Sequence, residues 1–148
     1  MGEWKEIVID DLFPCSKSTR TPVFTRGHDN ELWVLILEKA WAKIYGSYDK
    51  IEAGLTRECL HDLTGAPTKF YFTDRPKDWD KIWDDLLEGE KKDYAMTCGA
   101  GEFFAGGGNA VTTTGIVSSH AYSLLSAHEV YTTKGRTKLV KLRNPWGQ

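Results

Sequence analysis

Cysteine is scarce in this chain: three in 148 residues, Cys15, Cys59 and Cys98. An odd number at wide spacing builds no disulfide framework, and no C-x-x-C pair marks a zinc site. Reduced thiols are the simplest reading, so a cytoplasmic location is expected. No apolar run approaches the ~18 residues that a membrane span needs. The N-terminus carries Glu3, Trp4 and Lys5 and lacks the apolar core of a secretory signal. Met1-Gly2 is followed by Glu at position 6 rather than Ser or Thr, so myristoylation is not signalled. An excess of one charge is also missing. The net charge is −2, with Lys and Arg interspersed among Asp and Glu, which argues against nucleic-acid and membrane-surface partners. Gly106-Gly107-Gly108 has no Lys-Ser/Thr after it and precedes no helical pattern, so it is no phosphate loop.

Bulk for a core is present. Hydrophobic residues make up 41%, with six Trp, six Tyr and six Phe. A single domain of this length buries roughly 70% of its unfolded surface. Trp4–Asp10 is rich in β-branched residues and predicts a strand. Leu12–Gly27, broken by Pro14 and Pro22, predicts a loop. Trp33, Ile36, Leu37, Ala40, Trp41, Ile44 and Tyr45 form one apolar stripe of helical period. That stripe predicts a core helix, capped by Asp29 or Asn30 and ended by Gly46. Ser47–Ala53 and Thr56–Leu63 predict two short helices, closed by Gly54 and Gly65. Phe70–Thr73 predicts a brief strand. Lys77–Glu90 predicts an amphipathic helix with Trp79, Ile82, Trp83, Leu86 and Leu87 on one face and Gly89 as its stop.

After Lys92 the period changes. Tyr94–Cys98 predicts a strand and Gly99–Thr114 a mobile glycine-rich loop. Gly115–Ala127, His128–Thr133 and Thr137–Arg143 predict three further strands, the last two joined in a hairpin by Gly135. The fold class is α+β: several helices followed by an antiparallel sheet, with a barrel-like closure of that half expected.

Particular motifs run along this frame. Gly2-Glu3-Trp4 and Val8-Ile9-Asp10-Asp11 are followed by Asn30-Glu31-Leu32-Trp33. Leu37-Glu38-Lys39-Ala40 leads to Gly46-Ser47-Tyr48, and then comes Asp62-Leu63-Thr64-Gly65. Near the end stand His120-Ala121-Tyr122-Ser123 and Leu142-Arg143-Asn144-Pro145-Trp146-Gly147. In this order they resemble the calpain family of cysteine proteases over nearly the whole chain. The resemblance implies a papain-like catalytic domain, of which residues 1–148 supply the second half. The nucleophilic Cys and the oxyanion-hole Gln would lie on a first subdomain outside this sequence.

That resemblance gives the site residues their roles. His120 would be general base and then general acid for the thiol. Asn144, 24 residues further on, would orient the imidazole, as in Cys-His-Asn triads. Trp146 would shield their hydrogen bond, which strengthens in a low dielectric. Ser119 stands where the family usually has Gly; the carbonyl there would face the substrate backbone, and Ser still offers a carbonyl but not a glycine-only backbone geometry. No nucleophile is assigned within the chain: Cys98 ends a strand and opens no helix, Cys59 lies inside a helix, and Cys15 lies in a loop. His28, His61 and His128 match no catalytic motif, and no carboxylate or Cys surrounds a His120/His128 metal pair. The implied activity is calcium-dependent proteolysis of protein substrates by the complete protein, with the isolated chain inactive. Calcium ligands are not identifiable in this segment. Two other readings stand beside it: a calpain-like module that has lost catalysis and binds partners, and an unrelated α+β binding domain with accidental motif matches.

Overall fold

A computed structural model describes residues 3–29, 31–100 and 115–145. The chain divides into two compact units, Met1–Leu55 and Thr56–Gln148.

The first unit is built on helix α1, Trp33–Tyr45. Its run of Leu, Ile, Ala, Glu and Lys favours helix, and Gly46 stops it in the left-handed region at φ 103°, its N–H donating to Ala42 O at 2.8 Å. Leu32 occupies the N-cap position without a side-chain cap, so the expected Asp29 cap does not form; Asp29 is instead paired with His28 at 3.1 Å. Asn30 lies outside the described residues.

The expected strand at Trp4–Asp10 is not a strand. Lysines of α1 hold it instead: Lys43 Nζ donates to Val8 O at 2.6 Å, and Lys39 Nζ donates to the Asp10 carboxylate and to Leu12 O just beyond. Glu38, also on α1, accepts from the Thr25 hydroxyl and from its N–H at 3.2 Å. The loop at 12–27 thus lies along one flank of α1, with Cys15 and Pro22 bridged across it. This reverses the expected burial. Leu35 and Ala42 are each 4% exposed, while Trp33 and Ile44 of the apolar stripe are 58% and 54% exposed. After Gly46 only one 3₁₀ turn forms, Tyr48–Ile51, shorter than the helix expected there. The Tyr48 ring stacks on Phe24 with centroids 4.4 Å apart.

The second unit holds helices α2, Thr56–Thr64, and α3, Trp79–Lys91, then strands β1, Met96–Ala100, β2, His120–Thr132, and β3, Gly135–Arg143. The strands form one antiparallel sheet in the order β1-β2-β3. The α+β class therefore holds, with helices ahead of the sheet. β2 is one continuous strand where two were expected, and β1 begins two residues later than expected. Of residues 99–114, read as a loop, Gly99 and Ala100 belong to β1 and the rest lie outside the described residues.

Helix α3 packs on the sheet through Trp83, whose Nε1 donates to Glu129 on β2 at 2.6 Å. Gly89 is not a stop signal. A Cβ there would sit 2.7 Å from Met96 Sδ, so the missing side chain lets α3 approach β1 closely. A hydroxyl pair, Thr97 to Thr56 at 2.8 Å, ties β1 to the start of α2. Phe70–Thr73 has no strand partner. Tyr71 and Lys69 reach the Asp85 carboxylate on α3 instead, joined by Lys81, the two lysines at 3.0 Å.

The Tyr71 hydroxyl, then Lys81 and Lys69, hold the Asp85 carboxyl well below the usual carboxylate range. A depressed folded-state value stabilises the fold above the ordinary carboxylate pKa of 3.8 and is lost as pH falls through the depressed value. Asp85→Asn should therefore destabilise the chain at neutral pH and close the gap to the parent in acid. Urea midpoints taken from about pH 6 down to about pH 2 read this directly. A gap that stays constant over that range contradicts the assignment.

Candidate active site

His120 opens β2 and Asn144 follows the last residue of β3. The hairpin turn at Gly135, φ 106°, folds the two ends of this ribbon back to the same edge of the sheet. Their side on the sheet is set by one extra residue. From Thr132↔Gly135 to Ser126↔Lys141 the strands pair without interruption, and then the pairing steps to Leu124↔Leu142. Leu125 is left over as a β-bulge. The alternation of burial breaks at the bulge: Tyr122 and Leu124 are buried before it, the adjacent Ser126 and Ala127 after it, and Leu125 is exposed. Continued past Ser123↔Arg143, this register puts Asn144 on the face that carries His120 and Tyr122. A one-residue slip would put it on the opposite face.

The result is a hydrogen bond of 2.9 Å between His120 Nε2 and Asn144 Oδ1. The amide oxygen only accepts, so Nε2 carries the proton and donates. The basic lone pair of the neutral imidazole is thereby placed on Nδ1. Both residues are half-buried, so the bond is partly screened from solvent while the ring stays reachable.

Two features brace His120. Its ring meets the Tyr122 ring edge to face, with centroids 5.0 Å apart and planes at 87°. Tyr122 is 6% exposed, and its hydroxyl accepts from the Val117 N–H at 2.8 Å. Between Val117 and His120 runs a tight turn in which Ser119 has φ 51°, the left-handed region that glycine adopts without cost. The residue substituted for the family's usual Gly thus keeps a glycine-like backbone. Tyr122 was passed over in the sequence as part of a motif; its i, i+2 spacing from His120 on a strand was the signal that it shares the His120 face.

Trp146 lies outside the described residues. Cys98 sits opposite Tyr122 in the sheet register, two pairs away from Ala100↔His120. Burial alone pushes its thiol up. Burial, then the nearby Asp62 charge, do the same to Cys59. Neither environment favours the thiolate that nucleophilic attack requires. His61 Nδ1 bonds Ala66 O, and His128 Nε2 bonds Ser126 Oγ, each at 2.8 Å, both local ties.

The sequence model described as calpain family cysteine protease matches residues 1–148. The chain belongs to the calpain family. It is 37% identical to the calpain-type cysteine protease ADL1 of Oryza sativa subsp. japonica, over 98% of this chain and 7% of that protein. It is 34% identical to the calpain-1 catalytic subunit of Mus musculus, over 99% of this chain and 20% of that protein. It is likewise 34% identical to calpain-9 of Mus musculus, over 99% of this chain and 21% of that protein. The chain therefore spans about a fifth or less of the length of these calpains. Membership removes the reading of an unrelated binding domain. Among the described residues no helix is long and apolar enough to cross a membrane. Nor, among them, do three His, Cys, Asp or Glu side chains gather into a group that could hold a metal ion.

Deleting Leu125 should restore unbroken pairing and turn Asn144 away from His120 while the hairpin persists. NMR contacts between the His120 ring and the Asn144 side chain should then vanish; their survival would show that the bulge does not set the pair. Ser119→Gly should stabilise the fold modestly. Relief of about 1–2 kcal/mol of left-handed strain is offset by about 0.5–1 kcal/mol of glycine entropy. A urea midpoint below that of the parent would contradict strain at Ser119.

Proposed function

We propose that this chain is a partial calpain catalytic domain that supplies the general base, His120, and its orienting partner, Asn144, to a cysteine endopeptidase. The observation that carries the reading is the 2.9 Å bond from His120 Nε2 to Asn144 Oδ1, which leaves Nδ1 as the proton acceptor. In the complete protein a cysteine on the remaining part of the catalytic domain would approach Nδ1. The imidazole takes the thiol proton, and the thiolate attacks the peptide carbonyl. The resulting imidazolium returns the proton to the leaving amine, and a water deprotonated by the same nitrogen then hydrolyses the thioester. Asn144 keeps the ring in one tautomer throughout, and a neutral orienter suits a thiolate–imidazolium pair.

Trp146 is proposed as the cover of the His120–Asn144 bond. Protein substrates, calcium regulation and a cytoplasmic setting belong to the same reading of the parent protein. The chain by itself, in which burial disfavours the thiolates of Cys59 and Cys98, is proposed to be inactive.

A second reading, a calpain-like interaction module without catalysis, draws on Ser119, a non-glycine residue held at φ 51° beside His120. The residue at the nucleophile position of the complete protein separates the two: Cys supports the protease, any other residue the module. In the complete protein, His120→Ala should lower kcat/KM on a peptide substrate by about 10³-fold or more. Asn144→Ala should lower it less. Peptidase activity that survives His120→Ala, or turnover by the isolated chain that His120→Ala abolishes, overturns the corresponding part of this reading.

A further inference from the structure

We propose that Tyr122 is a positioning residue for His120, acting at both ends of the turn that delivers the imidazole. The inference deepens the reading of the His120–Asn144 pair given above and rests on it for its catalytic consequence.

A left-handed residue other than glycine persists only where its surroundings over-determine it. Ser119 is such a residue, and it immediately precedes His120. The backbone ahead of the turn is held by the Val117 N–H, which donates to the Tyr122 hydroxyl at 2.8 Å in a buried setting, Val117 being 7% and Tyr122 6% exposed. The far end of the turn is held by the same side chain, whose ring meets the edge of the His120 ring at 5.0 Å. Tyr122 in turn is fixed from β1, opposite Cys98, and by strand pairing into the middle of the sheet. One buried aromatic thus clamps the turn from its entrance to its exit.

The two contacts act on different freedoms. The hydroxyl fixes where the β2 backbone starts, and hence where the His120 Cα lies. The ring edge restricts rotation of the imidazole about its side-chain bonds. Asn144 then needs only to meet a ring already held in place. Loss of the hydroxyl leaves the buried Val117 N–H without its acceptor and lets residues 117–119 relax toward right-handed backbone. That relaxation moves Nε2 away from Asn144 Oδ1. A side chain that merely filled the core would do neither.

The test uses the isotope-labelled chain and follows the exchange with water of the His120 ring N–H by NMR. In the parent this proton should be observable and protected by its bond to Asn144. Tyr122→Phe keeps the ring and removes the acceptor; it should speed exchange by about ten-fold or more. Tyr122→Leu, which also removes the ring edge, should speed it further. Backbone amides of β2 and β3 beyond the bulge should keep their parent exchange rates in Tyr122→Phe, which separates loss of positioning from general loss of stability. Should Phe at this position unfold the sheet, Val117→Pro removes the donor of the same bond, and the same proton reports the outcome. In the complete protein Tyr122→Phe should lower kcat by about ten-fold while KM stays within about two-fold, the mark of a displaced catalytic group rather than weakened binding.

A His120 ring proton that is unprotected in the parent, or exchanges at the parent rate in Tyr122→Phe, overturns the inference. Cleavage by the complete protein that is indifferent to His120→Ala would sink the protease reading instead, and leave the exchange result to decide the role of Tyr122.

Discussion

The extra residue at Leu125 governs which side of the sheet the end of the chain reaches. Strand side chains alternate, so a ribbon that pairs without interruption from the Gly135 turn would present Asn144 and His120 on opposite faces. One unpaired residue exchanges the parity. It moves Asn144 to the face of His120 and Tyr122, and beside it the alternation of buried positions along β2 breaks, Ser126 and Ala127 being buried as neighbours. Packing of α3 follows that change, because Trp83 meets Glu129 and the Glu90 carboxylate accepts the Ala127 N–H at 3.3 Å, both beyond the bulge. The active pair and the support beneath the sheet therefore share one determinant.

Around that determinant the electrostatic demands are modest. The orienting group is neutral, so no buried charge has to be balanced next to His120. What the pair needs is geometry, and the sheet supplies it from short-range elements: a glycine turn, a bulge, a left-handed serine and a buried tyrosine. A hydrogen bond between neutral groups contributes on the order of 1 kcal/mol to stability. That is too little to hold a strained turn by itself, so the Val117–Tyr122 bond and the contact of the Tyr122 and His120 rings add to it.

The helices were legible in the sequence because their apolar periods are long and regular: α1, α2 and α3 fall where the pattern put them. The hairpin was legible because Gly135 sits between two β-branched runs. The His120–Asn144 pairing was legible through motifs, since nothing in residue spacing alone reveals a bulge. Where the reading failed, side chains had replaced backbone partners. Trp4–Asp10 has the composition of a strand, but Lys43 takes the Val8 carbonyl and Lys39 the Asp10 carboxylate, and Phe70–Thr73 is held to α3 by Asp85. Gly89 looked like a terminator because glycine usually is one; its role in letting α3 approach Met96 depends on a residue from another element. The α1 stripe failed for a different reason. Periodicity identifies an apolar face and not what covers it, and the loop at 12–27 engages the opposite flank through Lys39 and Glu38.

The side-chain contacts described for His120, those of Asn144 and Tyr122, lie close along the chain. Contacts of such short range cost little loop-closure entropy and form early in folding. Hairpins of this kind close on a scale of about 1–10 μs. His120 and Asn144 thus come together as the ribbon closes. Under the proposed reading, a proton acceptor assembled that soon waits for its thiol, and the order of assembly is set by the distance along the chain rather than by the chemistry.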